Sequence, residues 1–134
     1  MIHLKRFLVG LALPSVILPF LLLSVYMANK PAFLGIPFLY FIPMIWGIWN
    51  VLDHAIFKEI SSKDKLLHAL IVGAVLGFLV TSIGVYCFDA SRLLGLSHTL
   101  TYLPMLIGPL FYALLWAFVV RPLNDFLRPL HNQC

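Results

Sequence analysis

Charge is what this 134-residue chain has least of: 10% of its residues are Asp, Glu, Lys or Arg, against about a quarter in an average soluble domain. With 62% hydrophobic residues and a mean hydropathy of +1.00, it lacks the polar surface that would wrap a water-facing globule. Each helical crossing of a hydrocarbon layer roughly 30 Å thick takes about 20 residues, so the apolar runs leave no room for a soluble catalytic or nucleotide-binding domain. Cysteine is scarce too. Cys87 and Cys134 form no Cys-x-x-Cys pair, which excludes dithiol redox chemistry. His-Glu-x-x-His, Gly-x-Ser-x-Gly and the P-loop pattern are all missing, so neither an enzyme, a metal nor a cofactor is expected. The net charge of +4 does not point to nucleic acid, because the nine Lys and Arg are scattered beside apolar runs and form no continuous basic face.

What is there is length without charge. Residues 7–28, 31–52, 66–88 and 100–120 contain no Asp, Glu, Lys or Arg, and charges lie close to their ends. These runs predict an all-α integral membrane protein: one domain, residues 1–134, with four transmembrane helices at about 7–28, 32–52, 66–88 and 101–120 in an antiparallel up-down bundle. A closed barrel would need segments of about ten residues alternating apolar and polar, and none occurs. The first run is too long for the apolar region of a secretory leader, and Tyr26 stands where a cleavage site before Asn29 would need a small residue.

The basic residues set the expected orientation. Lys5, Arg6, Lys58, Lys63, Lys65, Arg121 and Arg128 fall on one side of the four runs, whereas only Lys30 and Arg92 fall on the other. Both termini are therefore expected in the cytoplasm, in a plasma membrane of the bacterial inner-membrane kind. Trp46, Trp49 and Trp116 would form an aromatic belt at the inner ends, and Tyr26, Tyr86 and Tyr102 one at the outer ends. Asn29-Lys30-Pro31 reads as a tight outer turn. Helix two is expected to run about two turns past Leu52, with Ser61 and Asp64 as a capping box for helix three and Ser97 as the cap of helix four, after a turn ended by Gly95. Pro122 and Pro129 should break the tail, leaving it on the membrane surface.

Four groups of residues are candidates for function. Gly73, Gly77 and Gly84 lie near one face of helix three, where small residues let another helix approach, whereas Gly108 has no small partner at such a spacing. Pro19, Pro43 and Pro109 interrupt helix interiors and, with Ser15, Tyr40 and Tyr112, could line an outward-facing cavity; Ser24, Thr81 and Ser82 are the other groups able to extend a polar path. Cys87, Asp89, Arg92, Ser97 and His98 form an outer polar cluster, with residue types that suit a zinc ligand set or a nucleophile and base but no recognised spacing. Asn50, Asp53, His54 and Lys58 fall on an inner extension of helix two, suited to docking a partner or facing headgroups, and His68 sits one turn into helix three.

The pattern does not resemble that of the small multidrug transporters, which needs a glutamate in the first helix; residues 7–28 have none. Leu13-Pro14-x-x-Ile17-x-Pro19 and Leu103-Pro104-x-x-Ile107-x-Pro109 are alike and sit on oppositely directed helices, as an inverted repeat would place them. The expected role is association with other membrane helices, as an accessory or scaffold subunit or a homo-oligomer. The alternative is transport of a neutral or lipid-like solute through the proline-kinked cavity. The expected surroundings are the lipid bilayer and other membrane helices.

Overall fold

The computed structural model describes residues 1–57 and 64–126. Among them the regular structure is entirely helical, and three helices are long and apolar enough to cross a membrane: Ile2–Met27, Lys65–Phe88 and His98–Phe126. Helix α1, Ile2–Met27, carries Lys5 and Arg6 in its opening turns, so the helix begins before the charge boundary rather than after it. It ends where Asn29 adopts a left-handed conformation (φ 56°), which asparagine tolerates better than other side chains.

The expected helix 32–52 is in two pieces. A single turn, α2 (Pro31–Leu34), is followed by Gly35 and an extended Ile36, and Pro37 opens α3 (Pro37–Leu52). Proline drives its predecessor out of the helical region while suiting the first position of a new helix, so Pro37 both breaks and restarts the winding. Past Leu52 the helix continues as a π turn, Asp53–Phe57. Helix α4, Lys65–Phe88, is capped by Asp64, whose Oδ1 accepts from the Leu66 and Leu67 amides at 2.9 and 3.4 Å. Asp64 is thus the cap itself, and Ser61 lies outside the described residues.

Asp89 (φ 51°) ends α4, and one turn, α5 (Ala90–Leu93), leads to Gly95 (φ 78°), which ends the turn as expected. A 3-10 turn, His98–Leu100, precedes α6 (Leu103–Leu115). Ser97 is not the cap of α6, which begins after Tyr102; its carbonyl receives the Leu100 amide at 2.8 Å in the 3-10 turn, and its hydroxyl makes no capping bond. Beyond α6, a π turn (Trp116–Val120) passes into α7 (Arg121–Phe126). Pro122 does not break the helix, which continues to Phe126, and Pro129 lies outside the described residues. The Arg121 amide reaches back to the Trp116 carbonyl, so Pro122 falls where the ladder is changing register and its missing N–H costs little.

Backbones meet most closely within two hairpins, α1 with α3 and α4 with α6. A Cβ on Gly10 would meet the Trp46 carbonyl, the Gly47 Cα and the Asn50 Cβ, all within 3 Å. A Cβ on Gly73 would meet the Tyr112 carbonyl, the Ala113 Cα and the Trp116 Cβ just as closely. The two crossings therefore use the same atoms at the same positions, matching Trp46 with Tyr112, Gly47 with Ala113 and Asn50 with Trp116. Pro43 and Pro109 match as well, and each hairpin turns through a left-handed residue and a four-residue helix. The halves correspond α1 to α4 and α3 to α6, in the same direction, so the inverted repeat suggested by Leu13-Pro14 and Leu103-Pro104 is replaced by a direct one.

Bulky side chains fill the space between the hairpins. The Trp46 ring lies 5.0 Å from that of Tyr112 and 5.4 Å from that of Trp116, beside Val9, Leu76, Val80 and Val120. Trp46 and Trp116 are 2% and 1% exposed, so they are core residues and not an interfacial belt. Tyr26, Tyr86 and Tyr102 are exposed. A second cluster, Phe33, Ile36 and Leu39 against Phe88, Leu93 and Leu94, joins the turn regions of the two hairpins.

Candidate functional site

The polar groups that matter are gathered at one end of the bundle, where α1 and α4 begin and α3 and α6 end. Asn50, on the last turn of α3, is fully buried. Its Nδ2 donates to the Arg6 carbonyl of α1 at 2.6 Å and to Asn124 Oδ1 of α7 at 3.1 Å, and its Oδ1 accepts from Asn124 Nδ2 at 2.8 Å. One amide thereby ties three elements together. Burying it without these partners would leave donors unpaired in an apolar setting, a cost of about 1–3 kcal/mol each.

One turn further along, the π turn aims Asp53 at α4, and Asp53 Oδ1 lies 2.8 Å from His68 Nε2. Both side chains are largely shielded, at 14% and 22% exposure. His54, next in the π turn, stacks obliquely on His3 of α1 with ring centroids 5.9 Å apart. Between these pairs and the ring core, the Trp49 indole N–H donates to the Val72 carbonyl at 3.2 Å. The layer therefore joins hairpin to hairpin through the side-chain pairs Asn50 with Asn124 and Asp53 with His68 and through the Trp49 bond to the Val72 backbone.

This arrangement revises the inner patch. Asn50 and Asp53 turn into the chain's own helices, not outward toward headgroups or a partner, and Lys58 lies outside the described residues. His68, one turn into α4, bonds the end of the neighbouring hairpin. Asn124, His3 and the Gly10–Gly47 crossing were not singled out from sequence. Gly10 and Gly47 are 37 positions apart on two helices, and no local spacing flags such a pair.

The glycine face is half as expected. Gly73 and Gly77 abut α6, with a Cβ on Gly77 meeting the Gly108 carbonyl, the Tyr112 Cβ and the Pro109 Cα within 3 Å. Gly84 is off this crossing, with only the Ala90 Cβ nearby at 3.8 Å. Gly108 does have a partner: a Cβ there would collide with Thr81.

The cavity candidates do not converge. Ser15, Pro19 and Tyr40 are exposed on the outside of the bundle, Pro43 and Pro109 are half-buried, and Tyr112 belongs to the ring core. Ser15 and Ser24 donate to carbonyls one turn back, Leu11 at 2.7 Å and Phe20 at 2.8 Å, and the Tyr40 hydroxyl donates to the Leu34 carbonyl at 2.9 Å. At the turn end, Asp89 and Arg92 form an open ion pair of 3.7 Å, and Cys87, Ser97 and His98 are exposed. Among the described residues no three His, Cys, Asp or Glu side chains are placed to share a metal ion. In the loop between α4 and α6, Ser91 is fully buried and its hydroxyl donates to the Thr101 carbonyl at 2.6 Å.

The chain matches no family model, no curated protein and no solved structure.

Proposed function

We propose that this is a four-span integral membrane protein that acts by association of its outer helical surface with other membrane helices, as a scaffold or accessory subunit or as a homo-oligomer. In this reading α3 supplies the fourth span. With its π turn it runs unbroken from Pro37 to Phe57 alongside α1, and at about 1.5 Å per residue it matches a hydrocarbon layer of roughly 30 Å. The polar end carries Lys5, Arg6, Lys65 and Arg121 and faces the cytoplasm of a bacterial inner membrane.

The observation that carries the reading is the interior. Glycine crossings close each hairpin, the Trp46, Tyr112 and Trp116 rings fill the space between hairpins, and the Ser15, Ser24 and Tyr40 hydroxyls donate to backbone carbonyls on the outside of the bundle, while the Ser82 hydroxyl is enclosed without a hydrogen-bond partner. A packed interior suits a component that binds through its periphery. Because the Gly73–Gly77 face is already occupied by α6, association would use the surface of α1 or the exposed side of α6.

Cross-linking in native membranes, followed by extraction in mild detergent, tests this. The expected result is a discrete complex larger than the 15.2 kDa chain. A chain that stays monomeric and uncross-linked, together with uptake of a neutral solute by vesicles containing it, would overturn association in favour of transport. Transport draws its support from the direct correspondence of the two hairpins, an arrangement in which sites form between repeats.

A further inference from the structure

The correspondence of the two hairpins provides an internal control on the polar layer. Asn50 occupies the position that Trp116 occupies in the second hairpin, and three residues on, Asp53 corresponds to Val119. Trp116 is as fully enclosed as Asn50, and a glycine on the facing helix accepts each of them in the same way. The fold thus builds this crossing with an apolar side chain in one hairpin and a buried amide in the other. The amide is not needed for the crossing.

Trp116 reaches the other hairpin through its ring, packed on Trp46, whereas the amide reaches it through side-chain hydrogen bonds. Beside its bond to the Arg6 carbonyl within its own hairpin, Asn50 reaches Asn124 of the other hairpin, and Asp53 reaches His68, at the end where α7 continues α6. Elsewhere the hairpins meet through rings and aliphatic side chains, through the Trp49 indole bond to the Val72 carbonyl and, at the turn end, through Lys30 lying against Gly95. Helix α7 is only six residues long and follows a π turn, a winding often found where a helix is reworked for function. Its Arg121–Asp125 pair, at 3.9 Å, lies within α7.

We infer that α7 is a strap: the Asn50–Asn124 amide pair latches it across the junction of the hairpins, and its release opens the polar end of the ring core while the glycine-zipped hairpins stay intact. Val120 is the residue that reports this. It is fully buried in the ring core and immediately precedes α7, whereas Leu76 is equally enclosed in the middle of α4.

The experiment uses the full chain in detergent with Cys87→Ser and Cys134→Ser, so that it does not depend on membrane orientation. Val120→Cys and Leu76→Cys are compared for their rate of reaction with a water-soluble maleimide, each alone and combined with Asn124→Ala or with Asn50→Leu. The Leu replacement makes the position apolar, as its counterpart is, and keeps the variant foldable. Both latch variants are expected to speed labelling of Val120→Cys by about tenfold and to leave Leu76→Cys unchanged, because labelling follows the population of the locally opened form. Unchanged labelling at Val120→Cys in both variants overturns the strap. Equal acceleration at both cysteines also overturns it, since the amide pair would then hold up the whole fold.

Discussion

Asn50 and Asn124 exchange two hydrogen bonds through their side-chain amides, Nδ2 to Oδ1 in both directions, across 74 positions of sequence. The pair brings the end of α3 to α7, and a third bond, from Asn50 to the Arg6 carbonyl, adds the start of α1. Because Asn50 is buried and Asn124 only half-buried, their contributions to stability differ.

Asn50→Ala is expected to destabilise the protein more than Asn124→Ala. It removes the bonds to both Arg6 and Asn124, whereas Asn124→Ala leaves the Arg6 bond in place. The coupling between the two should be about 0.5–1.5 kcal/mol, the range of side-chain bonds between membrane helices. A double-mutant cycle of reversible unfolding in detergent measures it. Strictly additive losses would mean that the amides act independently.

The glycines should separate into two classes. Replacing Gly10, Gly73 or Gly77 by Leu forces backbones apart and should cost about 1–3 kcal/mol each. Gly84→Ala should change stability by less than about 0.5 kcal/mol, since the added methyl meets only Ala90 at ordinary contact distance. Gly108→Leu belongs with the costly class because of Thr81. Thermal unfolding of the purified variants checks the ranking.

The Asp53–His68 pair should tolerate a neutral acceptor better than none. Asp53→Asn keeps an oxygen near His68 Nε2, whereas Asp53→Ala leaves a partly shielded imidazole nitrogen without a partner. The expected order of stability is parent, then Asp53→Asn, then Asp53→Ala, within a total range of about 1–3 kcal/mol. An inverted order would show that the contact is electrostatic crowding and not a stabilising bond.

Much of the helical layout was legible because apolar length dominates it. Residues 66–88 could be read as a helix within one position of α4, since no interior proline disturbs that run and Asp64 marks its start. Residues 31–52 misled, because composition records that a segment is apolar but not that Pro37 will restart the winding. The destinations of the tryptophans were also hidden. An indole near a helix end reads as a belt residue until a second hairpin packs over it, as happens to Trp46 and Trp116. The polar layer was half visible: Asn50, Asp53 and His68 stand out by type, but their partners are set by tertiary contact. Asn124, beside a proline in a tail expected to lie on the surface, gave no local sign of its role.

The final prediction concerns orientation. Both described chain ends and the end of α3 meet in one layer: Arg6 and Asn124 share Asn50, and His68, at the start of α4, pairs with Asp53. They are therefore expected on the same side of the membrane, and the basic residues gathered there favour the cytoplasm. A reporter active only in the cytoplasm should work when fused after Cys134 and fail when inserted between Leu94 and Leu96, in the loop beyond α5. A reporter active only outside should give the opposite pattern. Lys5→Glu with Arg6→Glu should weaken this preference, because the rule counts basic residues near helix ends, while Lys65 and Arg121 remain to oppose inversion. Activity of the outside reporter after Cys134 in the parent chain would reverse the assigned orientation. Outside activity at both sites would remove α6 as a crossing, because α6 with its continuation is the long helix between the loop and the chain end.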